Sequence, residues 1–467
     1  MFTFAHRIGL RIKRWWIGLS RFEFSDHQAR IRMRQRLPLA AGLMALIWHL
    51  AFPSGQAAVL FSAWLGLMLC AYLWARQMAG RVSGSRRLLS SALQVGDELE
   101  EQISLRNASF LPVLSAEFID HSNLPGHSVV SVRALDANGH ADWKASVVCA
   151  RRGLFNLGPW ELLLSDPFGI FSVEQAYPQQ VEVLVYPQLA PLPPALLPGG
   201  RTRGDQRPLR RMLGADTVSA ASARAYQPGD PLRFIHWPTS ARKNALYTRV
   251  FDPEAVSSIW LIPDLNPDAH SGASAAADQV GATEDSTLEV MVVLLASLAD
   301  QLLRARLAVG LLALGARPQI LPPAAGLAAF PRLLRALAQV QADAPQSLSE
   351  TLSSAEKMIS RRSLFVLVTP DAAGGWLPAL QNLAASPGGQ PGEVLLLDPL
   401  SFGGKTPAAP MMELLRQVGF PAEVVRRGDV QPVSGAFGAL RRWEYITTAT
   451  GRAVVRQRPR AVEGSPQ

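Results

Sequence analysis

Cysteine is almost missing from this chain: 467 residues hold only Cys70 and Cys149. A disulfide framework is therefore excluded, which fits a reducing compartment. Cys149 lies among Val147, Val148 and Ala150, where a lone thiol is far more often a core residue than a nucleophile. Phosphate loops are missing too, because neither Gly199-Gly200 nor Gly403-Gly404-Lys405-Thr406 has the strand, spaced glycines and helix that a P-loop needs. Charge is lacking over two long stretches, Leu37 to Phe52 and Ala57 to Ala75, which hold no Asp, Glu, Lys or Arg and are separated only by Pro53, Ser54, Gly55 and Gln56.

Two uncharged apolar runs of this kind predict a transmembrane helix hairpin over residues 37–75. Basic residues flank it on both sides: Arg7, Arg11, Lys13, Arg14, Arg21, Arg30, Arg32, Arg34 and Arg36 before it, Arg76, Arg81, Arg86 and Arg87 after it. Basic flanks stay on the cytoplasmic side, so both ends are expected there. A cleaved leader is disfavoured, since a second apolar run follows at once and no small-residue cleavage site ends the first. The expected location is the cytoplasmic membrane, multi-pass, with the soluble domains in the cytoplasm. The alternative is a pair of buried core helices joined by a turn.

The formal net charge is +9, which on its own suggests nucleic acid. Residues 1–90 carry a balance of +11, so the remainder carries −2. The basicity thus belongs to the membrane-proximal part, where it sets topology and attracts anionic lipid, and no nucleic-acid partner is expected. One basic cluster remains further on, at Arg201, Arg203, Arg207, Arg210 and Arg211. It offers a weaker route to anionic-lipid or nucleic-acid binding, although charge runs in linkers are usually only solvated.

After the basic N-terminal segment (1–36) and the apolar pair, residues 88–190 show short alternating runs broken by turn residues, such as Leu99 to Leu105, Val113 to Ile119 and Trp143 to Cys149. That spacing predicts a small antiparallel β-sandwich or barrel. A Pro/Arg-rich linker (191–217) and a motif-bearing segment (218–255) follow. From 256 to 430, apolar strand-like runs (Ser258 to Pro263, Leu307 to Leu314, Leu364 to Thr369, Glu393 to Leu397, Ala422 to Val425) alternate with helical patterns. This predicts an α/β doubly wound domain with a mostly parallel sheet. Ala269 to Asp285 reads as a mobile loop, and the tail 431–467 is too mixed to place.

The densest motif contains Arg224, Tyr226, Pro228, Gly229, Asp230, Arg233, His236, Trp237, Ser240 and Arg242. Pro228-Gly229-Asp230 is a turn signal, Trp237 asks for a buried wall, and the arginines ask for acceptors, which together predict a fixed joint with a recognition surface. Asp230, His236 and Ser240 are also the residue types of a hydrolase triad, so a membrane-associated hydrolase or peptidase using His236 with Ser240 or Cys149 is the alternative. Three groups in one short segment rarely converge, and no Gly-rich nucleophile turn surrounds Ser240.

The run Arg224 to Arg242, together with the upstream Arg152-Gly153, Gly158-Pro159 and Asp166 to Phe171, resembles the domain of unknown function DUF58 of bacteria and archaea. The resemblance covers about residues 37 to 400. It implies a von Willebrand factor A-like domain on a membrane anchor, a MoxR-type AAA+ ATPase as partner, and the company of a transglutaminase-like membrane protein. No established catalysis comes with it. Von Willebrand A-type domains often hold Mg2+ through Asp-x-Ser-x-Ser, with Thr and Asp from later loops. Here the matching residues are Asp264, Asn266 and Asp268, with Thr369 and Asp371 as later contributors. Asn and Asp still offer hard oxygen ligands; the alternative is that Asp264 orders a loop. The functional expectation is a membrane-anchored scaffold that docks the ATPase or its client during envelope protein assembly or maturation.

Overall fold

The computed structural model describes residues 21–24, 27–89, 93–127, 130–197, 222–226, 235, 237–250, 258–272, 286–359, 363–385, 392–432, 443–447 and 453–457. The chain divides into two units, Met1–Val185 and Tyr186–Gln467.

In the first unit the apolar runs form helix α1 (Leu37–Ala51) and helix α2 (Gly55–Arg81). Ser54 caps α2 by accepting a hydrogen bond from the Ala57 amide at 3.2 Å. The helices approach closely because Gly42 has no side chain: a Cβ there would lie 2.1 Å from the Trp64 ring. Trp64 Nε1 donates to the Pro38 carbonyl at 2.7 Å. Leu39, Leu43, Met44, Ile47 and Leu50 on α1, and Val59, Leu60, Leu65 and Leu69 on α2, are all exposed. Helix α2 is long and apolar enough to cross a membrane, whereas α1 is shorter.

The last third of α2 corrects the expected limits of the apolar pair. Ala71, Ala75, Met78 and Ala79 are at most 1% exposed and belong to the core of a β-rich body. Its strands are β1 (Arg21–Glu23), β2 (Gln28–Met33), β3 (Val82–Leu88), β4 (Leu93–Gln94), β5 (Glu98–Asn107), β6 (Val113–Asp120), β7 (Val130–Leu135), β8 (His140–Val148), β9 (Gly153–Leu157), β10 (Trp160–Ser165), β11 (Phe171–Tyr177) and β12 (Val181–Tyr186). They form antiparallel sheets ordered β1-β2-β11-β10-β6-β7, β3-β5-β8 and β4-β12-β9. The first two enclose one apolar core with α2, including Phe118, Leu162 and Val173 from the first sheet and Ile103 and Leu105 from the second. This β-rich body draws on strands before residue 88 as well as after it. Within the expected basic segment, β2 alternates Ala29 and Ile31 inward with Arg30 outward and pairs with β11. Rings continue the link, with His27 to Tyr177 at 4.9 Å and Tyr177 to Trp160 at 3.7 Å between centroids.

A buried ionic quartet crosses this body. Arg86 of β3 meets Glu101 of β5 and Asp120 of β6. His127 places Nε2 3.0 Å from Glu101 Oε1 and Nδ1 2.8 Å from Asp120 Oδ2. All four side chains are at most 7% exposed. For His127, burial alone would lower the pKa, but contacts with Asp120 and Glu101 outweigh it and raise it to about 9. For Asp120, burial alone would raise the pKa, yet His127, Ser122 and Arg86 hold it at about 2.

In the second unit, β13 (Ser222–Ala225), helix α3 (Trp237–Lys243) and β14 (Tyr247–Val250) make a small antiparallel piece. The doubly wound part contains β15 (Ser258–Pro263), α4 (Thr287–Arg304), β16 (Ala308–Ala313), β17 (Gln319–Ala324), α5 (Phe330–Gln339), α6 (Leu348–Met358), β18 (Ser363–Thr369), α7 (Leu377–Ala385), β19 (Glu393–Leu397), α8 (Ala409–Val418) and β20 (Ala422–Val425). Strands β21 (Trp443–Thr447) and β22 (Ala453–Gln457) pair in the tail. The large sheet runs β17-β16-β15-β18-β19-β20, parallel except for edge strand β17. Strands β15, β18 and β19 are buried along their whole length, as expected for a sheet with helices on both faces. One core takes in residues of α4 and α5, the other residues of α6, α7 and α8.

The expected Pro/Arg-rich linker differs at its start. Leu189, Ala190, Leu192 and Leu196 are buried in the same core as α4, and the Ala190 amide donates to Ser297 Oγ at 2.9 Å. Apolar residues spaced between prolines supply the packing, and the prolines only fix an extended path. The rest of that linker, with the Arg201 to Arg211 cluster, lies outside the described residues, as do 273–285 of the expected mobile loop and Gly464 to Gln467.

Candidate functional site

The carboxyl edge of an open parallel sheet is where such folds usually hold ligands, and here several polar side chains collect on it. Asp264 directly follows central strand β15 and is 1% exposed. The neighbouring strand β18 ends at Thr369, whose hydroxyl donates to Asp264 Oδ2 at 2.7 Å. The other carboxylate oxygen accepts from the Asn266 amide at 3.1 Å. Asn266 Oδ1 in turn accepts from the Asp268 amide at 3.1 Å, and Thr369 Oγ1 accepts from the Asp371 amide at 2.9 Å. His270 bridges two elements, with Nε2 2.9 Å from the Asp264 carbonyl and Nδ1 3.0 Å from Thr287 Oγ1 at the start of α4.

Burial raises the Asp264 pKa to about 6; the Thr369 and Asn266 hydrogen bonds oppose that rise, and the nearby Asp371 charge adds to it. Asp264, Asn266, Thr369 and Asp371 come together as a hydrogen-bonded loop. Both Asp264 oxygens, the Asn266 side-chain oxygen and the Thr369 hydroxyl are engaged inside it. Asp268 is exposed. Among the described residues no three His, Cys, Asp or Glu side chains gather as a metal cage. The Asp264, Asn266 and Thr369 oxygens are committed to backbone amides and to one another, so no chemistry is assigned to a bound cation.

The central motif is only partly described. Arg224 lies on β13 opposite Thr248, and the Tyr226 amide donates to the Leu246 carbonyl at 2.8 Å. Pro228, Gly229, Asp230, Arg233 and His236 lie outside the described residues. Trp237 corrects the expectation of a buried wall: it is 66% exposed. Arg242 and Lys243 on the same short helix are exposed as well. Ser240 faces inward, and its Oγ accepts from the Tyr247 amide at 2.9 Å, which ties α3 to β14. Cys149 is fully buried, and burial first, then the Asp97 charge, pushes its thiol up to about 11. A thiol held protonated in this way is a poor nucleophile. Sequence reasoning missed His270 and the Arg86, Glu101, Asp120 and His127 quartet. Its signal was present in β5, where the alternation that buries Leu99, Ile103 and Leu105 also turns Glu101 inward.

The fold and site define a multidomain mixed α/β protein with one helix long and apolar enough to cross a membrane. Residues 222–387 match the family described as "Protein of unknown function DUF58", a stretch that takes in Arg224 to Arg242, Asp264 and Thr369. The chain is also similar to "Uncharacterized protein YeaD" of Bacillus subtilis (strain 168), 31% identical over 131 residues. That match covers 28% of this chain and 28% of the relative, so the chain spans little more than a quarter of the curated relative's length. Among solved structures, the CARDB domain of a Pyrococcus furiosus protein is 9% identical with a TM-score of 0.17, covering 22% of this chain and 86% of that one. The sporulation control protein Spo0M of Bacillus subtilis is 9% identical with a TM-score of 0.16, covering 23% and 49%. Likenesses this slight carry no argument about function.

Proposed function

We propose that this protein is a membrane-anchored scaffold whose DUF58 domain docks a MoxR-type AAA+ ATPase or its client during assembly or maturation of envelope proteins. In this reading α1 and α2 pass through the inner membrane as a hairpin, and the soluble body faces the cytoplasm. The exposed Leu, Ile, Met and Val side chains of both helices support the anchor. The α/β part is of von Willebrand factor A type, a reading supported by its central β15, its antiparallel edge strand β17 and the Asp264 loop.

The observation that carries docking is Trp237. A Trp two-thirds exposed on a helix that also presents Arg242 has the composition of a binding hot spot. The scaffold is also favoured because Ser240 is held in a structural hydrogen bond and the Cys149 thiol is kept protonated. The test is affinity purification from solubilised membranes of wild type and Trp237→Ala, with AAA+ ATPases identified by mass spectrometry. Enrichment in wild type and its loss in the variant is expected. An ATPase absent from the wild-type sample, or held equally by the variant, refutes the docking surface.

A further inference from the structure

The helices are short once their buried parts are subtracted. Helix α1 has 15 residues, about 22 Å at 1.5 Å per residue. On the face that meets the β body, helix α2 is free only from Gly55 to Cys70, about 24 Å by the same rise, because Ala71 is fully buried there, while Leu73 on another face is 47% exposed. A bilayer's hydrocarbon core is about 30 Å thick. The body itself has to make up the remaining 6 to 8 Å, roughly, or the bilayer has to thin.

The rim of the body at the helix roots is built for that. The Arg34 amide donates to the Ile170 carbonyl at 2.8 Å, just before α1 begins. Tyr72 of α2 meets Phe171 edge-on, with ring centroids 6.1 Å apart, and Trp74 Nε1 donates to the Pro112 carbonyl at 3.3 Å. Loop 166–170, between β10 and β11, flanks the helix roots, and loop 108–112, between β5 and β6, runs beside the buried part of α2, from the Arg81 carbonyl, which accepts from the Ala108 amide at 2.8 Å, to Trp74. Each carries an outward aromatic: Phe168 is 49% exposed and Phe110 68% exposed. Leu114, at the start of β6, is 58% exposed beside them. The exposed Arg34, Arg36 and Arg76 surround the same roots, where anionic headgroups would meet them. At the other end of β11, the turn Pro178 to Gln180 is exposed but has no large apolar residue.

Resting on the anchor reading above, we infer that loops 108–112 and 166–170 form a membrane-seated rim, with Phe110, Leu114 and Phe168 sunk into the lipid interface and Arg34, Arg36 and Arg76 on anionic headgroups. The rim extends the apolar height of the short helix pair and fixes the body against the membrane instead of leaving it on a stalk.

The test uses the full chain in a Cys70→Ala background, reconstituted in nanodiscs that contain phosphatidylglycerol. An environment-sensitive fluorophore is placed in turn through Phe168→Cys, Phe110→Cys, Leu65→Cys and Gln179→Cys, and is quenched with shallow spin-labelled lipid. Strong quenching and a blue shift at 65, with quenching at 110 and 168 several-fold above that at 179, are the expected result. Quenching at 65 combined with none at 110 or 168 overturns the rim and leaves the anchor standing. No quenching at 65 overturns the anchor reading itself. Labels at 110 and 168 that escape lipid but are quenched by a second labelled copy assign the rim to self-association and overturn the lipid proposal.

Discussion

Removing His127 from the buried quartet tests the electrostatics of the β body most directly. Its pKa rises from 6.5 to about 9 on folding, which at 1.36 kcal/mol per unit corresponds to about 3 kcal/mol. The sign follows from linkage: a base raised in the folded state contributes its full stabilisation below pH 6.5 and loses it as the pH climbs through 9. The wild-type body is therefore expected to lose roughly 3 kcal/mol of opening free energy between pH 6 and pH 9.5. His127→Gln leaves Glu101 and Asp120 sharing only Arg86, with neither carboxylate more than 1% exposed. Breaking such a buried pair costs about 3 to 5 kcal/mol, so the variant is less stable at pH 6 and lacks the alkaline slope. Because the chain has two units, a global melt would mix them. Hydrogen exchange of peptides from β5 and β6, corrected for intrinsic rates, isolates the relevant opening. A wild-type protein with flat protection across this range, or a variant with the same slope, refutes the argument.

Other perturbations probe separate features. Asp264→Asn removes a buried carboxyl whose pKa is raised from 3.8 to about 6, a shift that penalises the folded state as pH rises through that window. The variant should withstand about 1 to 3 kcal/mol more urea-induced unfolding of the α/β part at pH 7.5, with no gain at pH 4. Tyr177→Phe strips the acceptor from the Gly84 amide, 2.9 Å from the hydroxyl, and the donor from Gln175; exchange of β3 and β11 should accelerate by the equivalent of about 1 to 3 kcal/mol. Gly42→Ile drives a side chain into the Trp64 ring, so detergent-solubilised protein should melt lower, while Gly66→Ile, where a Cβ meets nothing within 4 Å, should not.

Much of the α/β part was legible because periodicity and burial agree there. Ser258–Pro263, Glu393–Leu397 and Ala422–Val425 are strands over the expected residues. Strand β17 was not among the expected strands; it holds Pro322 and Pro323 because it is an edge strand, where a missing donor is tolerated. Trp237 was misjudged because ring size suggests burial, whereas a seven-residue helix has little surface to offer it. The Asp264 loop was found from its oxygen-bearing residues, but their spacing cannot tell ligands free for a cation from oxygens already bonded to backbone amides.

Helix α2 explains the largest misreading and shows why it was unavoidable. Hydropathy measures what water rejects, and a lipid tail and a protein core are rejected alike. The expected membrane run therefore continued through Ala75, although the helix changes surroundings near Ala71. What marks the change is size on one face: Ala71, Ala75 and Ala79 recur every fourth residue there, letting the helix axis lie close to β2 and β11, while the exposed Val59, Leu60, Leu65, Leu67 and Leu69 precede them and the exposed Leu73 lies on another face. Small residues at that spacing are needed for close approach to other protein backbone and offer little to lipid. Gln175 completes the seat by donating from Nε2 to the Val82 carbonyl at 2.9 Å, just past the end of the helix. One continuous helix thus has an exposed apolar part and a part buried in protein, and on the anchor reading proposed above the point where its stripe turns from large to small residues sets how deep the β body can sit.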